Sequence, residues 1–276
     1  MTPLLNLVGA GHVGRTLGRL LAEQGGFRIG QVLTRSQASA QQAVDFMGAG
    51  QPVAQYDQLQ PAAVHMLAVG DDQIASACAA LAGAVPLAGS IVFHCSGALA
   101  SGQLQAARDA GALVASVHPI RSFADPAAVA GNFTGTFCGV EGDAGALAVL
   151  TPALEAIGAQ PVLIDAAAKT VYHAAAVFAS NYLVTVLDAA LRAYQAAGVP
   201  EDVARRMAQP LAAESMANVF RLGAAAALSG PIARGDLATV ARQQQAVTQW
   251  DGATGRLYHD LIAPTQELAN RKCPGR

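Results

Sequence analysis

Charge is scarce in this sequence. Only 13% of its 276 residues are charged, and the formal balance at neutral pH is −2. No basic stripe is offered to phosphates, which argues against nucleic acid as a partner. Long apolar runs are lacking too. None reaches about 18 residues, and the best candidate, Ala174 to Leu187, is interrupted by Ser180 and Asn181, so no membrane span is expected. No basic n-region or cleavage site precedes the first strand, and no signal peptide is expected. The four cysteines (Cys78, Cys95, Cys138, Cys273) show neither CxxC spacing nor histidine clustering. They read as reduced thiols of a cytoplasmic protein, and nothing marks Cys95 as an activated thiolate. The six histidines are scattered with no carboxylates clustered about them, so no metal site is expected. Lysine is almost missing: of 17 basic residues only Lys169 and Lys272 are lysine. A chain that uses arginine wherever a cation suffices draws attention to Lys169.

What is present is a 53% hydrophobic chain of a length suited to one large or two ordinary domains. Its organising stretch is Leu4 to Val8 followed by Gly9-Ala10-Gly11-His12-Val13-Gly14 and then an apolar pattern of helical period. A strand, Gly-x-Gly-x-x-Gly and a helix in that order form the dinucleotide fingerprint. Gly9 makes the tight turn, Gly11 lets backbone approach a pyrophosphate, and Gly14 lets helix pack on strand. The pyrophosphate would rest on free N–H groups at the helix N-terminus, with His12 and Val13 contributing backbone contacts. A second strand, Phe27 to Leu33, ends in Thr34-Arg35-Ser36, where NAD binders place an acidic residue on the ribose. An arginine with hydroxyls suits a 2′-phosphate, which favours NADP(H) over NAD(H).

Further strands are expected near Pro52–Ala54, at Ala63–Val69, Ser90–Cys95 and Ala112–Val117, alternating with helices at Gln37–Phe46, up to Ala82 with Gly83 as C-cap, and at Leu104–Ala110. That alternation gives parallel βαβ units in a doubly wound α/β sheet, extended by Thr134–Val140 and Gln160–Ile164 around a helix at Ala144–Ile157. Ligands of such sheets bind beyond the carboxyl ends of the strands. There stand the glycine turn, Thr34-Arg35-Ser36, Ala68-Val69-Gly70-Asp71, His94-Cys95-Ser96-Gly97 and His118-Pro119-Ile120-Arg121. From Asp165, a helix N-cap, the chain turns all-helical: to about Ala197, Glu201–Leu222, Leu237–Gln249 capped by Asp236, and Gly255–Arg271, kinked or divided at Pro264. The expected domains are 1–164, a dinucleotide-binding Rossmann domain, and 165–276, an all-helical domain.

The chemistry-bearing candidates follow from this layout. Lys169 and His173 lie four apart and Ser180 seven further on, within about 40° of one another on one helix face. Asn181 falls about 120° away and joins them only if the helix distorts. A lysine and a histidine facing the sheet edge could polarise and protonate a carbonyl or imine as hydride arrives, and lysine titrates when desolvated whereas arginine does not. His118 is a second acid–base candidate. Ser96 could bond the nicotinamide ribose or the substrate. Arg234, in the loop Gly230–Asp236, could hold a substrate or cofactor anion.

Several of these stretches together resemble a family of Rossmann-like bacterial oxidoreductases whose C-terminal half is a domain of unknown function. The stretches are Val8–Gly14, His94–Leu99, Ser116–Pro119 with Phe123, Tyr172–Ala176 with Ser180-Asn181, and Gly230–Asp236. The family is similar to pyrroline-5-carboxylate reductase, prephenate dehydrogenase, ketopantoate reductase and deazaflavin-dependent NADP reductases. The resemblance implies a second domain like that of 6-phosphogluconate dehydrogenase, an active site in the cleft between domains and a homodimer built through the C-terminal helices. The wider superfamily carries Lys-x-x-x-Asn on its first helix after the sheet; here Lys169 fits and His173 takes the asparagine position. The expected function is NADP(H)-dependent hydride transfer to or from a small carbonyl or imine substrate. The alternative is a non-turnover NADP(H)-binding sensor or regulatory dimer.

Overall fold

Strands β1 (Leu4–Val8), β4 (Val64–Leu67), β5 (Ile91–His94) and β6 (Leu113–Pro119) are short, apolar and almost entirely buried, the mark of a sheet covered on both faces. A computed structural model describes residues 2–272. In it these strands join β2 (Arg28–Leu33), β3 (Gln51–Val53), β7 (Phe137–Gly142) and β8 (Gln160–Leu163) in one eight-stranded sheet of order 3-2-1-4-5-6-7-8. Period-two alternation splits the side chains into two cores. Leu5, Leu7, Met66, Phe93 and Val117 share one core with helix α1 (His12–Glu23). Val8, Leu67, Val92 and Val114 share the other with α3 (Ile74–Ala84). Strand order reverses between β1 and β4, and there the crevice of a doubly wound sheet opens.

The sheet is parallel as far as β6. β7 then runs antiparallel to β6, and β8 is parallel to β7. The connection from β6 to β7 holds a short helix absent from the sequence reading, α5 (Pro126–Gly131), with Pro at its first position and the Asp125 side chain accepting from the Ala127 and Ala128 amides. Two further expectations change. Gly83 lies inside α3, which ends one residue later at Ala84. Pro264 does not divide the last helix, which runs unbroken from Gly252 to Lys272; the proline removes one hydrogen bond and the turns on either side keep theirs.

α2 (Gln37–Met47) and α6 (Ala144–Ala156) fall where the pattern put them, with α4 (Gln105–Asp109) a short turn. Asp165 caps as expected, its carboxyl accepting from the Ala167 amide at 2.9 Å. After a 3-10 turn come α7 (Lys169–Val177), one π-helical turn at Phe178–Tyr182 and α8 (Leu183–Ala196). The helical run Ala166–Ala196 is long and apolar enough to cross a membrane by length and composition, with a mean hydropathy of 1.5. Contacts place α7 with the sheet: one compact unit closes at Ala179 and a second begins at Ser180, fifteen residues beyond the boundary at 164 suggested by composition. The second unit contains α8, α9 (Glu201–Leu222), α10 (Ala224–Ala227), α11 (Leu237–Trp250) and α12 (Gly252–Lys272), with α8 packed on α9 and α11 on α12.

Candidate active site

The glycine turn is built as its spacing requires. Gly9 has φ +83°, and a Cβ there would stand 2.6 Å from the Ala68 carbonyl oxygen. A Cβ on Gly14 would stand 2.7 Å from that of Ala68 and 2.9 Å from the Gly9 oxygen, so helix and strand touch through it. Gly11 differs: nothing lies within 4 Å of where its Cβ would be. It is the N-cap of α1, with no side chain bonded to the first-turn amides. Open space over an uncapped helix start fits the diphosphate of a dinucleotide.

A cavity of about 870 Å³ extends from this turn over the ends of β1, β2 and β4. Thr34, Arg35, Ala68, Val69 and Gly70 line it as expected, and Arg15, Ser39, Gln42 and Tyr56 join them. Arg15 is held by its Nε bond to the Ala10 carbonyl, 3.2 Å, and lies over the Phe46 ring. No carboxylate is among the lining residues. Ser36 is placed differently from its neighbours. Its hydroxyl caps α2 by accepting from the Ser39 amide at 3.2 Å, and Ser39 rather than Ser36 forms the cavity wall.

Gly11 and Ala68–Gly70 are shared with a second cavity, of about 410 Å³, walled by His12, Val13, Asp71, Cys95, Ser96, Gly97, His118, Arg121, Phe123 and His173. Its floor is the loop after β5. His94 Nδ1 accepts from the Ser96 amide and its Nε2 donates to the Ala100 carbonyl, both 3.1 Å, which fixes one neutral tautomer. Burial holds the pKa of this ring down at about 4. The Ser96 hydroxyl accepts from the Ala98 and Leu99 amides, so it caps the loop. Burial pushes the Cys95 thiol up to about 12, which leaves it an inert wall.

α7 seats the remaining groups through the alternation of β6 and β7. Ser116 and His118 point to one face, opposite Glu141 and Gly139 in the antiparallel register. Lys169 lies on the first pair and Tyr172 on the second. Lys169, only 2% exposed, donates from Nζ to the Ser96 carbonyl at 3.0 Å and to the Ser116 hydroxyl, with Glu141 Oε1 at 3.9 Å. Glu141 also accepts from the amide and hydroxyl of Ser101, each 2.7 Å. Burial lowers the Lys169 pKa and Glu141 opposes the shift. Lys169 thus lies beneath the Ser96 loop rather than on the cavity wall.

His173, one turn on, does reach the wall. Its ring and that of His118 meet edge to face at 5.4 Å, and Tyr172 closes on His118 from the other side at 5.6 Å. The Tyr172 hydroxyl bonds His118 Nδ1 at 3.0 Å, and burial pushes that phenol up to about 12, so it keeps its proton. When the hydroxyl donates in this bond, the ring proton of His118 sits on Nε2. Burial, with His173 and Lys169 adding to it, holds the His118 pKa down at about 4. His173 Nδ1 is buried without a hydrogen-bond partner among the described residues. Both imidazoles converge on Gly97, where a Cβ would collide with His173 Nδ1 and stand 2.7 Å from His118 Nε2.

The structure thus brings together His118 and His173, two separate candidates of the sequence, and leaves Lys169 on the expected face at another depth. Ser180, Asn181 and Arg234 belong to the second unit. Ser180 donates to Asn181 Oδ1 at 2.8 Å within the π turn, and Arg234 is exposed in the 3-10 turn Ile232–Arg234. Tyr172, Glu141, Arg15 and Arg121 were not singled out for roles here. Only the period-two match of Ser116 and His118 with Glu141 and Gly139 could have pointed to the first two, and it required knowing the β6–β7 register. Among the described residues no three His, Cys, Asp or Glu side chains group as metal ligands, and Cys78, Cys95 and Cys138 are free thiols. Cys273 lies outside the described residues.

Comparison with known proteins follows the two halves of the chain. Residues 4–119 match a Rossmann-like domain and residues 136–264 match a domain of unknown function, DUF2520. No curated protein matches the chain. Among solved structures, protein TM1727 from Thermotoga maritima is 27% identical, with 97% of this chain and 99% of that chain covered and a TM-score of 0.74. BF3122 from Bacteroides fragilis, a proposed NADP oxidoreductase, is 20% identical over 96% of this chain and 98% of that one, with a TM-score of 0.79. The imine reductase from Myxococcus stipitatus in complex with NADP+ is 14% identical over 98% and 95%, with a TM-score of 0.70. The fold is therefore that of a Rossmann-like domain followed by a helical domain, shared over essentially the full length of these chains.

Proposed function

We propose that this chain is an NADP(H)-dependent oxidoreductase that transfers hydride to or from a small carbonyl or imine substrate. One observation carries the reading: a glycine turn open at Gly11 leads on one side to an arginine-bearing, carboxylate-free cavity and on the other to paired imidazoles. The first cavity suits an adenosine ribose with a 2′-phosphate, held by Arg35 and Arg15 with Thr34, Ser39 and Gln42, because no carboxylate is there to take a free ribose diol. The NADP+ complex of the imine reductase with the same fold supports this cofactor class. A bound nicotinamide would supply or accept the hydride, the hydride chemistry being the cofactor's own.

The chain's own work is to bind, orient and supply hydrogen bonds. With the Tyr172 hydroxyl donating to Nδ1, His118 carries its proton on Nε2 and donates it to the heteroatom of the reacting double bond. His173 Nδ1, left without a partner by the fold, faces the same point above Gly97. Lys169 sets the height of the Ser96 carbonyl and holds the loop that carries Gly97. In this reading the sheet unit, which closes at Ala179 rather than at 164, binds the dinucleotide and carries both imidazoles, and the helical unit from Ser180 serves dimer formation in a cytoplasmic enzyme. Unpartnered apolar side chains of the second unit support the dimer, among them Val184, Leu211 and Phe220.

Calorimetry of NADPH and NADH on cofactor-free protein, repeated with Arg35→Asp, tests the cofactor half. Wild type is expected to prefer NADPH by about ten- to a hundredfold, since charge-assisted hydrogen bonds to a phosphate are of that strength. The preference should reverse in the variant. Equal, very weak binding of both nucleotides would overturn the reading.

A further inference from the structure

We propose that Arg121 is an anchor for an anionic carboxylate on the substrate, beside the two imidazoles. This rests on the oxidoreductase reading and adds the charge class of the molecule acted upon. Arg121 follows His118 by three residues and lines the same 410 Å³ cavity. Its Nη1 donates to the Asn132 carbonyl and to the Thr136 hydroxyl, the latter at 3.1 Å. Those two bonds use both hydrogens of that nitrogen and lock the guanidinium plane. The other edge, Nε with Nη2, has no partner among the described residues, and no carboxylate there pairs with this arginine. A guanidinium fixed on one side and open on the other is preorganised for a bidentate anion.

The loop itself is tied down. His12 Nδ1 donates to the Phe123 carbonyl at 2.6 Å, which joins the arginine's loop to the start of α1. Asp71 is the one carboxyl on the cavity wall, and its charge acts on His118 and His94. The cavity therefore offers one cationic fork and one acidic group with the imidazoles between them in function. Two anions could reach the fork: a substrate carboxylate or the dinucleotide's diphosphate. The diphosphate already has the open Gly11 amide and the α1 N-terminus. Arg121 shares its cavity with His118 and His173, whereas the arginines that flank the other end of the turn, Arg15 and Arg35, line the first cavity. The geometry favours the carboxylate.

The probes are oxamate and oxamide, planar molecules of equal size that differ in charge. Their binding is read by calorimetry on the full chain, with and without saturating NADP+, for wild type, Arg121→Gln and Arg121→Lys. Wild type is expected to bind oxamate about ten- to a hundredfold more tightly than oxamide. Arg121→Gln should abolish that preference, and Arg121→Lys should keep part of it, because a point charge lacks the fork. NADPH affinity should stay within about twofold in both, which also reports that they fold. Oxamate no tighter than oxamide, or a preference that survives Arg121→Gln, overturns the anchor. A loss of NADPH affinity beyond about tenfold in Arg121→Gln also overturns it and assigns the arginine to the diphosphate. Wild type that binds oxamate but no nucleotide would instead overturn the oxidoreductase reading and leave the anion site standing.

Discussion

His65 and His94 are fully buried on neighbouring strands, and burial holds each pKa at about 4. His94 is satisfied by its two backbone bonds, whereas neither ring nitrogen of His65 has a well-formed hydrogen bond among the described residues. In the unfolded chain both rings take a proton near pH 6.5. Between pH 6.5 and 4 the unfolded state therefore binds more protons than the folded one, so stability rises with pH across that window and falls on acidification. A shift of this size corresponds to about 3 kcal/mol for each ring by pH 4. Thermal unfolding should show a midpoint that drops steadily from pH 7 to pH 4.5. The drop should be shallower in His65→Val, which removes the ring and leaves no polar atom behind. A midpoint independent of pH over this range would mean that these rings are protonated in the fold.

At the scale of elements, the pairing of α7 with β6 and β7 decides what Lys169 does. A lysine four residues before a histidine reads as a catalytic pair on one helix face, and the face is correct. What differs is depth, because the strand pair below offers Ser116 and Glu141 to the lysine and leaves the cavity to His173. Lys169→Met would strand Glu141 inside the sheet unit without its cation. The cost expected for breaking a buried pair is about 3–5 kcal/mol. The double variant Lys169→Met with Glu141→Gln should recover part of that loss, since the two residues touch and their effects do not add. Denaturant midpoints of the three variants check this. A Lys169→Met protein as stable as wild type would mean that the lysine is solvated and free for chemistry at the cavity.

At the scale of the whole molecule, the second unit leaves several large apolar side chains exposed. Phe220 is 89% exposed, and Val184, Leu211 and Leu237 stand out on the same unit. Exposed apolar side chains of this size suit an interface, and a second copy of the chain is the occupant we propose. Sedimentation equilibrium should give twice the 28.0 kDa chain. Leu211→Glu with Phe220→Glu should shift the protein toward the single-chain mass, because two charges cannot be desolvated in an apolar contact at tolerable cost. A monomeric wild type would overturn the dimer and leave the exposed helices to another partner.

The sequence by itself determined what depends on neighbours along the chain. The glycine turn, the βαβ alternation and the Asp165 cap are local patterns whose residues act within one turn or one strand, and each appears where it was read. His118 and His173 were legible as candidates because one ends a strand and the other sits at helical spacing from Lys169. Tertiary structure alone decided the antiparallel β6–β7 register, and with it the burial of Lys169, the Tyr172 bond to His118 and the open edge of Arg121. None of these follows from periodicity, because a period states which face a side chain takes and not what stands opposite it. Gly97 and Gly139 show the same division. The sequence reports two glycines, and only the packed helix reveals that a Cβ at either position would collide with a ring of the site.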